Sequence, residues 1–271
     1  MTVCIAAICG GKLPVPPEDY IVTVSDTMFT HLTSSSDKAT RKMEPLGDNW
    51  AAMMAADDVT QCVPIIERAA TYFHKRANTL QVARSCLKRA YQQHLAEMAA
   101  DKVVGRFGLD MEGFLKSKSP RFNDKTSDGL MSQIEQVRVD CQFLAFGFDS
   151  NKTPHLFTVE EPGTDSVYDK PGFCAVGSAR YAAEGLLFYL GQTPKCSLHH
   201  TFVNVLFAKY MAEKGGAGTN TYIFVMKAGS TECAIDLFLE PTIRKAWEDE
   251  GHPHIPNGLL DKIAEAHISA K

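Results

Sequence analysis

The sequence predicts an α+β fold, a four-layer αββα sandwich in which two antiparallel sheets lie between helix pairs. Three observations predict it. Apolar runs of strand length come in blocks, helical patterns come in pairs, and blocks and pairs alternate along the chain. Paired helices cannot act as the single crossovers of βαβ units, so the alternation suits two packed sheets with a helix pair on each outer face.

Residues 2–9 (TVCIAAIC) form a short apolar run, and 20–24 (YIVTV) are β-branched and aromatic. The Pro/Gly-rich stretch between them makes a hairpin with a long connection. Residues 50–55 are a further buried strand, ended by Asp57 and Asp58, which suit a helix N-terminus. Val63, Ile66, Ala70 and Phe73 then recur at helical spacing. A second helix is predicted from Asn78, with Gln81 completing a capping box and Leu80, Ala83, Leu87, Ala90, Leu95 and Met98 along one face. The segment from about 101 to 136 is polar, has no clear period, and reads as inserted.

Strand signals return at 137–148, 156–159 and 173–176. Gly177 and Ser178 open a helix of small residues that closes at Gly191, with Pro194 just beyond. Ser197 caps a fourth helix ending at Gly215 and Gly216, and 221–226 and 234–239 are the last strands. A tail from about 240 to 271 follows. No internal repeat or linker divides the chain, so residues 1–271 are expected to form one domain.

The 271 residues are 45% hydrophobic and 22% charged, enough for a sizeable core, and the net charge of -4 gives no general pull toward nucleic acid. No apolar run approaches the roughly 18 residues of a membrane span, and the N-terminal stretch lacks the basic lead-in of a signal peptide. A soluble cytoplasmic protein is expected. The eight cysteines sit mostly in apolar runs without CxxC spacing, as reduced core thiols do. His199 and His200 point apart on a helix, His252 and His254 lie in the tail, and Gly10-Gly11-Lys12 lacks the P-loop frame. No metal or cofactor is expected.

The chemistry concentrates on Thr2. A threonine hydroxyl is a poor nucleophile that needs a base within hydrogen-bond reach. If Met1 is removed, the α-amine of Thr2 itself can be that base, because a free amine titrates near about pH 8. Thr2 alone is an ordinary strand residue, since many chains begin Met-Thr. Asp26 alone is a turn residue, Ser178 alone a helix cap, and Lys42 alone a solvated lysine for which Lys38 or Arg41 could stand in.

Taken together, these residues resemble the proteasome β-subunit family, including the bacterial HslV peptidases, which are N-terminal nucleophile (Ntn) hydrolases. The opening TVCIAA matches the family's Thr-x-x-apolar start. VTVSDTMFT follows the family's second strand, with Asp26, Thr27 and Thr30 in the matching places. Lys42 leads into MEPLGDNWAAMMAADD at the family's own separation from Asp26, and VGSA supplies Val176, Gly177 and Ser178. The likeness covers the chain except for about 101–136 and the tail.

The resemblance implies an Ntn hydrolase fold and the following roles. Thr2 Oγ attacks a carbonyl and its amine takes the proton through water. Lys42 is the cation beside the nucleophile, Asp26 pairs with Lys42, and Ser178 orients the amine. The backbone N–H of Ala56 donates to the oxyanion. Thr30 and Met54 are substrate-binding positions, Thr30 holding an extended peptide by its backbone. The chain departs from the family in a longer first connection, in Met28-Phe29 for Arg-Ala, and in Ala56-Asp57 for Gly-Gly. Glu213 stands near the family's aspartate that supports the serine.

The leading expectation is a threonine peptidase acting on peptides or unfolded protein in a homo-oligomeric ring or double ring. Two alternatives stand beside it. One is a small-molecule amidase using Cys4. The other is a catalytically silent ring subunit that serves as a scaffold, which retention of Met1 favours.

Overall fold

The computed structural model describes residues 2–10, 18–27, 29–31, 34–36, 42–116, 124–233, 239–250 and 258–259. The chain is mixed α+β with two five-stranded antiparallel sheets. Its strands are β1 (Cys4–Gly10), β2 (Asp19–Asp26), β3 (Phe29–His31), β4 (Ser34–Ser36), β5 (Met43–Gly47), β6 (Trp50–Ala56), β7 (Cys141–Phe148), β8 (Pro154–Glu160), β9 (Thr164–Val167), β10 (Phe173–Val176), β11 (Thr221–Lys227) and β12 (Ser230–Cys233). The helices are α1 (Cys62–Phe73), α2 (Leu80–Ala99), α3 (Met111–Lys116), α4 (Asp124–Glu135), α5 (Arg180–Tyr189), α6 (Leu198–Lys214) and α7 (Leu239–Glu250). One sheet runs β10-β1-β2-β11-β12 and the other β5-β6-β7-β8-β9, while β3 and β4 pair by themselves.

The two-residue period of a strand sorts the apolar runs into two faces. In β1, Ile5, Ala7 and Cys9 join a core with α5, α6 and α7, while Cys4, Ala6 and Ile8 join residues of the second sheet. In β6, Ala51, Met53 and Ala55 meet that same inter-sheet core, and Trp50, Ala52 and Met54 pack with α1 and α2. Strands buried on both faces explain why their sequences are apolar without alternation.

Local signals place the helix ends. Asp58 Oδ1 accepts from Thr60 N at 3.0 Å and caps the 3-10 turn leading into α1. Ser197 caps α6 as its sequence predicts, accepting from His200 N at 3.3 Å. The cap of α2 is Thr79, whose Oγ1 accepts from Val82 N at 3.3 Å. Asn78 is instead spent on Trp50, its Oδ1 accepting from Nε1 at 2.5 Å.

Two peripheral segments carry more structure than their sequence shows. The segment from about 101 to 136 carries α3 and α4, and Val103, Val104, Phe114 and Leu130 make a small core of their own. Residues 234–238 of the expected last strand lie outside the described residues, and Leu239 begins a helix. The segment read as a tail therefore starts as α7, with Leu239, Ile243 and Trp247 buried against α6. Burial of one such large side chain is worth roughly 1.5–3 kcal/mol, so α7 is held firmly in the core it shares with α5 and α6. His252 and His254 lie outside the described residues, as do Lys12, Lys38 and Arg41. Among the described residues no helix is long and apolar enough to cross a membrane.

Candidate active site

Strand register assembles the site. Cys4 lies opposite Ser25 in β2 and opposite Val176 in β10, so the ends of both neighbouring strands flank Thr2 and Val3. The Asp26 amide donates to Val3 O at 3.2 Å, and the Val3 amide donates back to Asp26 Oδ2 at 3.3 Å. Gly177 follows β10 with φ +103, and a Cβ there would come within 2.2 Å of Thr2 O. Only glycine fits that approach, which brings Ser178 beside Thr2. The backbone N of Thr2 donates to Ser178 Oγ at 3.1 Å.

Lys42 arrives from the second sheet. It precedes β5, and its carbonyl accepts from Met54 N at 2.9 Å. The side chain is 1% exposed and its ammonium donates to Asp26 Oδ1 and, at 3.0 Å, to Thr2 Oγ1. A buried ammonium is tolerable only with such pairing. Asp26 is wholly buried too, and its second oxygen takes N–H donors from Val3 and, at 3.1 Å, Gly218. Thr2, Asp26, Lys42 and Ser178, four residues singled out from sequence, thus form one hydrogen-bonded cluster.

A cavity of about 280 Å³ opens over this cluster, lined by Thr2, Ser178 and Gly177 on one side and Ala55, Ala56 and Asp57 on another. Ala56, expected to donate to an oxyanion, is the last residue of β6 and sits in this wall. Its cross-strand partner is Cys141, so Gln142 of β7 and Asp140 just before it reach the same cavity. Sequence reasoning missed both residues. Gln142 Oε1 accepts from Gly177 N at 2.8 Å and so braces the turn that carries Ser178.

Not every expected residue joins. Met54 is 1% exposed, its side chain in the core with α1 and α2, so it is a core residue and not a wall of the cavity. Strand alternation sends Ala55, not Met54, to the other face. Thr30 lies in β3 opposite Ser35, and its side chain is outside the described part of the chain. Glu213 is engaged by Lys209 and Arg244. Cys4 is completely buried, its Sγ donating to Met54 O at 3.4 Å. Burial pushes its thiol up to about 12, against a smaller downward pull from Lys42. Among the described residues no group of three His, Cys, Asp or Glu side chains forms a metal site.

Compared with known proteins, the chain matches no family model and no curated protein sequence.

Proposed function

We propose that this protein is a threonine-type amide hydrolase, a peptidase whose nucleophile is Thr2 once Met1 is removed. The observation that carries the reading is the double engagement of Thr2. Lys42 Nζ contacts its hydroxyl and Ser178 Oγ contacts its nitrogen, at an open cavity.

In the proposed reaction Thr2 Oγ bonds to the scissile carbonyl carbon while its proton passes to the Thr2 amine. The buried Lys42 charge disfavours protonation of that amine and stabilises developing negative charge near Oγ. The Ala56 N–H is the proposed donor to the oxyanion. Collapse of the tetrahedral adduct expels the amine half of the substrate, which leaves with the proton. Water, deprotonated by the Thr2 amine, then cleaves the resulting ester and restores Thr2.

The three cores support the four-layer αββα Ntn arrangement: α1 and α2 on one sheet, α5 and α6 on the other, and an apolar layer between the sheets. The proposed setting is a cytoplasmic homo-oligomeric ring, in which the site is confined away from folded proteins. On α5, Tyr181, Phe188 and Tyr189 are 73%, 68% and 71% exposed, which supports burial of that face in an assembly.

Hydrolysis of a panel of fluorogenic peptides tests the reading. Thr2→Ala is expected to abolish turnover, Thr2→Ser to retain part of it, and Cys4→Ala to retain most. Undiminished turnover in Thr2→Ala would remove the proposal.

A further inference from the structure

A second buried ammonium lies one turn of chain from Asp26. Lys209, on α6, is completely buried. An ammonium has three donors and no acceptor, and all three are used here. They go to the Glu213 carboxylate, to Gly218 O at 2.8 Å and to Thr219 O at 2.9 Å. Arg244 of α7 also holds Glu213, donating to both carboxylate oxygens through bonds of 2.8 and 3.0 Å. Arg244 Nη2 also reaches Thr219 O at 3.0 Å.

The same turn faces the site. The amide of Gly218 donates to Asp26 Oδ2 at 3.1 Å, while Asp26 Oδ1 receives Lys42. A continuous chain therefore runs from Arg244 and Glu213 through Lys209 and the 218–219 turn to Asp26, Lys42 and Thr2.

We propose that Lys209 is a positioning residue for the Thr2 centre. By clamping the Gly218 and Thr219 carbonyls it holds the turn that presents the Gly218 N–H. That donor occupies Asp26 Oδ2 and leaves Oδ1 aimed at Lys42. This rests on the hydrolase reading, and concerns how that site is held.

An ammonium is an expensive way merely to tie a helix end to a turn. Burial lowers the pKa of Lys209 and the carboxylate of Glu213 opposes the fall, so the charge is held against its own desolvation. An apolar side chain of similar volume would fill the space, but it could not direct the turn.

The test is covalent labelling of Thr2 by a peptide β-lactone, followed by mass spectrometry, with kinact and KI separated. Amide hydrogen exchange over the 215–222 segment is measured in parallel. Lys209→Met is expected to lower kinact about tenfold or more, leave KI unchanged, and speed exchange around Gly218. Glu213→Gln, which keeps shape and removes charge, is expected to lose less in the same direction. A wild-type kinact in Lys209→Met overturns the proposal, as does a loss carried by KI. If Lys209→Met does not fold, a wild-type kinact in Glu213→Gln overturns it. A wild-type protein that is not labelled at all sinks the hydrolase reading first, and this inference with it.

Discussion

The Lys42 ammonium donates to Thr2 Oγ1 at 3.0 Å while only 1% exposed, so a full positive charge stands in the core one hydrogen bond from the candidate nucleophile. Asp26, equally buried, is its counter-ion. Breaking such a pair on one side leaves an uncompensated buried charge, whereas replacing both members by matched uncharged groups is often neutral.

Lys42→Ala is therefore expected to lower peptide turnover by roughly 10²–10³ and to destabilise the fold by about 3–5 kcal/mol. The double variant Asp26→Asn with Lys42→Met should recover much of the thermal stability and none of the turnover. Lys38→Ala and Arg41→Ala should turn over substrate at close to the wild-type rate. Melting curves and a peptide assay on the same preparations separate the two effects. Normal turnover in Lys42→Ala would mean that the cluster is not catalytic.

The Cys4 thiol, held by burial at about 12, presents only about one thiolate in ten thousand at pH 8. Iodoacetamide at that pH should leave Cys4 unmodified in the native protein, and peptide turnover should survive. Loss of turnover in step with alkylation of Cys4 would transfer the nucleophile role to that residue.

The cavity wall is acidic. Asp57 and Asp140 both line it and are exposed, and among the described lining residues none is cationic. Two such carboxylates at about 0.7 kcal/mol each amount to about tenfold in kcat/KM. Peptides with Arg or Lys next to the scissile bond should outrun those with Glu, and the advantage should shrink in high salt. The variant Asp57→Asn with Asp140→Asn should erase it. An equal preference in wild type and variant would show that these carboxylates do not face the substrate.

His155 gives a pH signature of stability separate from the site. Its Nδ1 lies 2.7 Å from Asp169 Oδ2, its Nε2 lies 3.6 Å from Asp149 Oδ2, and its ring stacks on Trp50. Burial opposes its protonation, but the two carboxylates outweigh burial and raise its pKa above the ordinary 6.5. A raised folded-state pKa means stability that is fully present below about 6.5 and fades as pH climbs through the raised value. His155→Gln should thus lower the melting temperature more at pH 5.5 than at pH 9. An equal or opposite difference would contradict the pairing.

The residues at strand ends were the legible part of the site. Thr2, Asp26, Lys42 and Ser178 each stand at or beside a strand end; each alone reads as an ordinary residue, and only the motif resemblance singled them out, after which the fold brings them together. Asp140 and Gln142 were not legible, because they reach the cavity only through the pairing of Ala56 with Cys141, which sequence order does not reveal. Met54 was misread although the signal existed: with Trp50 and Ala52 it shares the strand face that meets the helices.

Further out, Leu239, Ile243 and Trp247 recur at helical spacing and could have announced α7. Helix α3, of six residues, is too short to show a period, and α4 contributes only the sparse apolar pair Leu130 and Ile134 to the small core there, in a mostly polar segment. Lys209 had a signal as well, a lone charge within the otherwise uncharged run 201–210 of α6, all of which is buried.

The central claim is that Thr2 is both the first residue of the mature chain and the nucleophile. Intact-mass and peptide-mapping mass spectrometry after treatment with a peptide epoxyketone, which engages hydroxyl and amine together, tests both halves in one measurement. The account predicts loss of Met1 and a single adduct per chain, mapped to an N-terminal Thr2 and absent from Thr2→Ala. Quantitative retention of Met1 with no adduct would contradict it and leave a scaffold protein in its place.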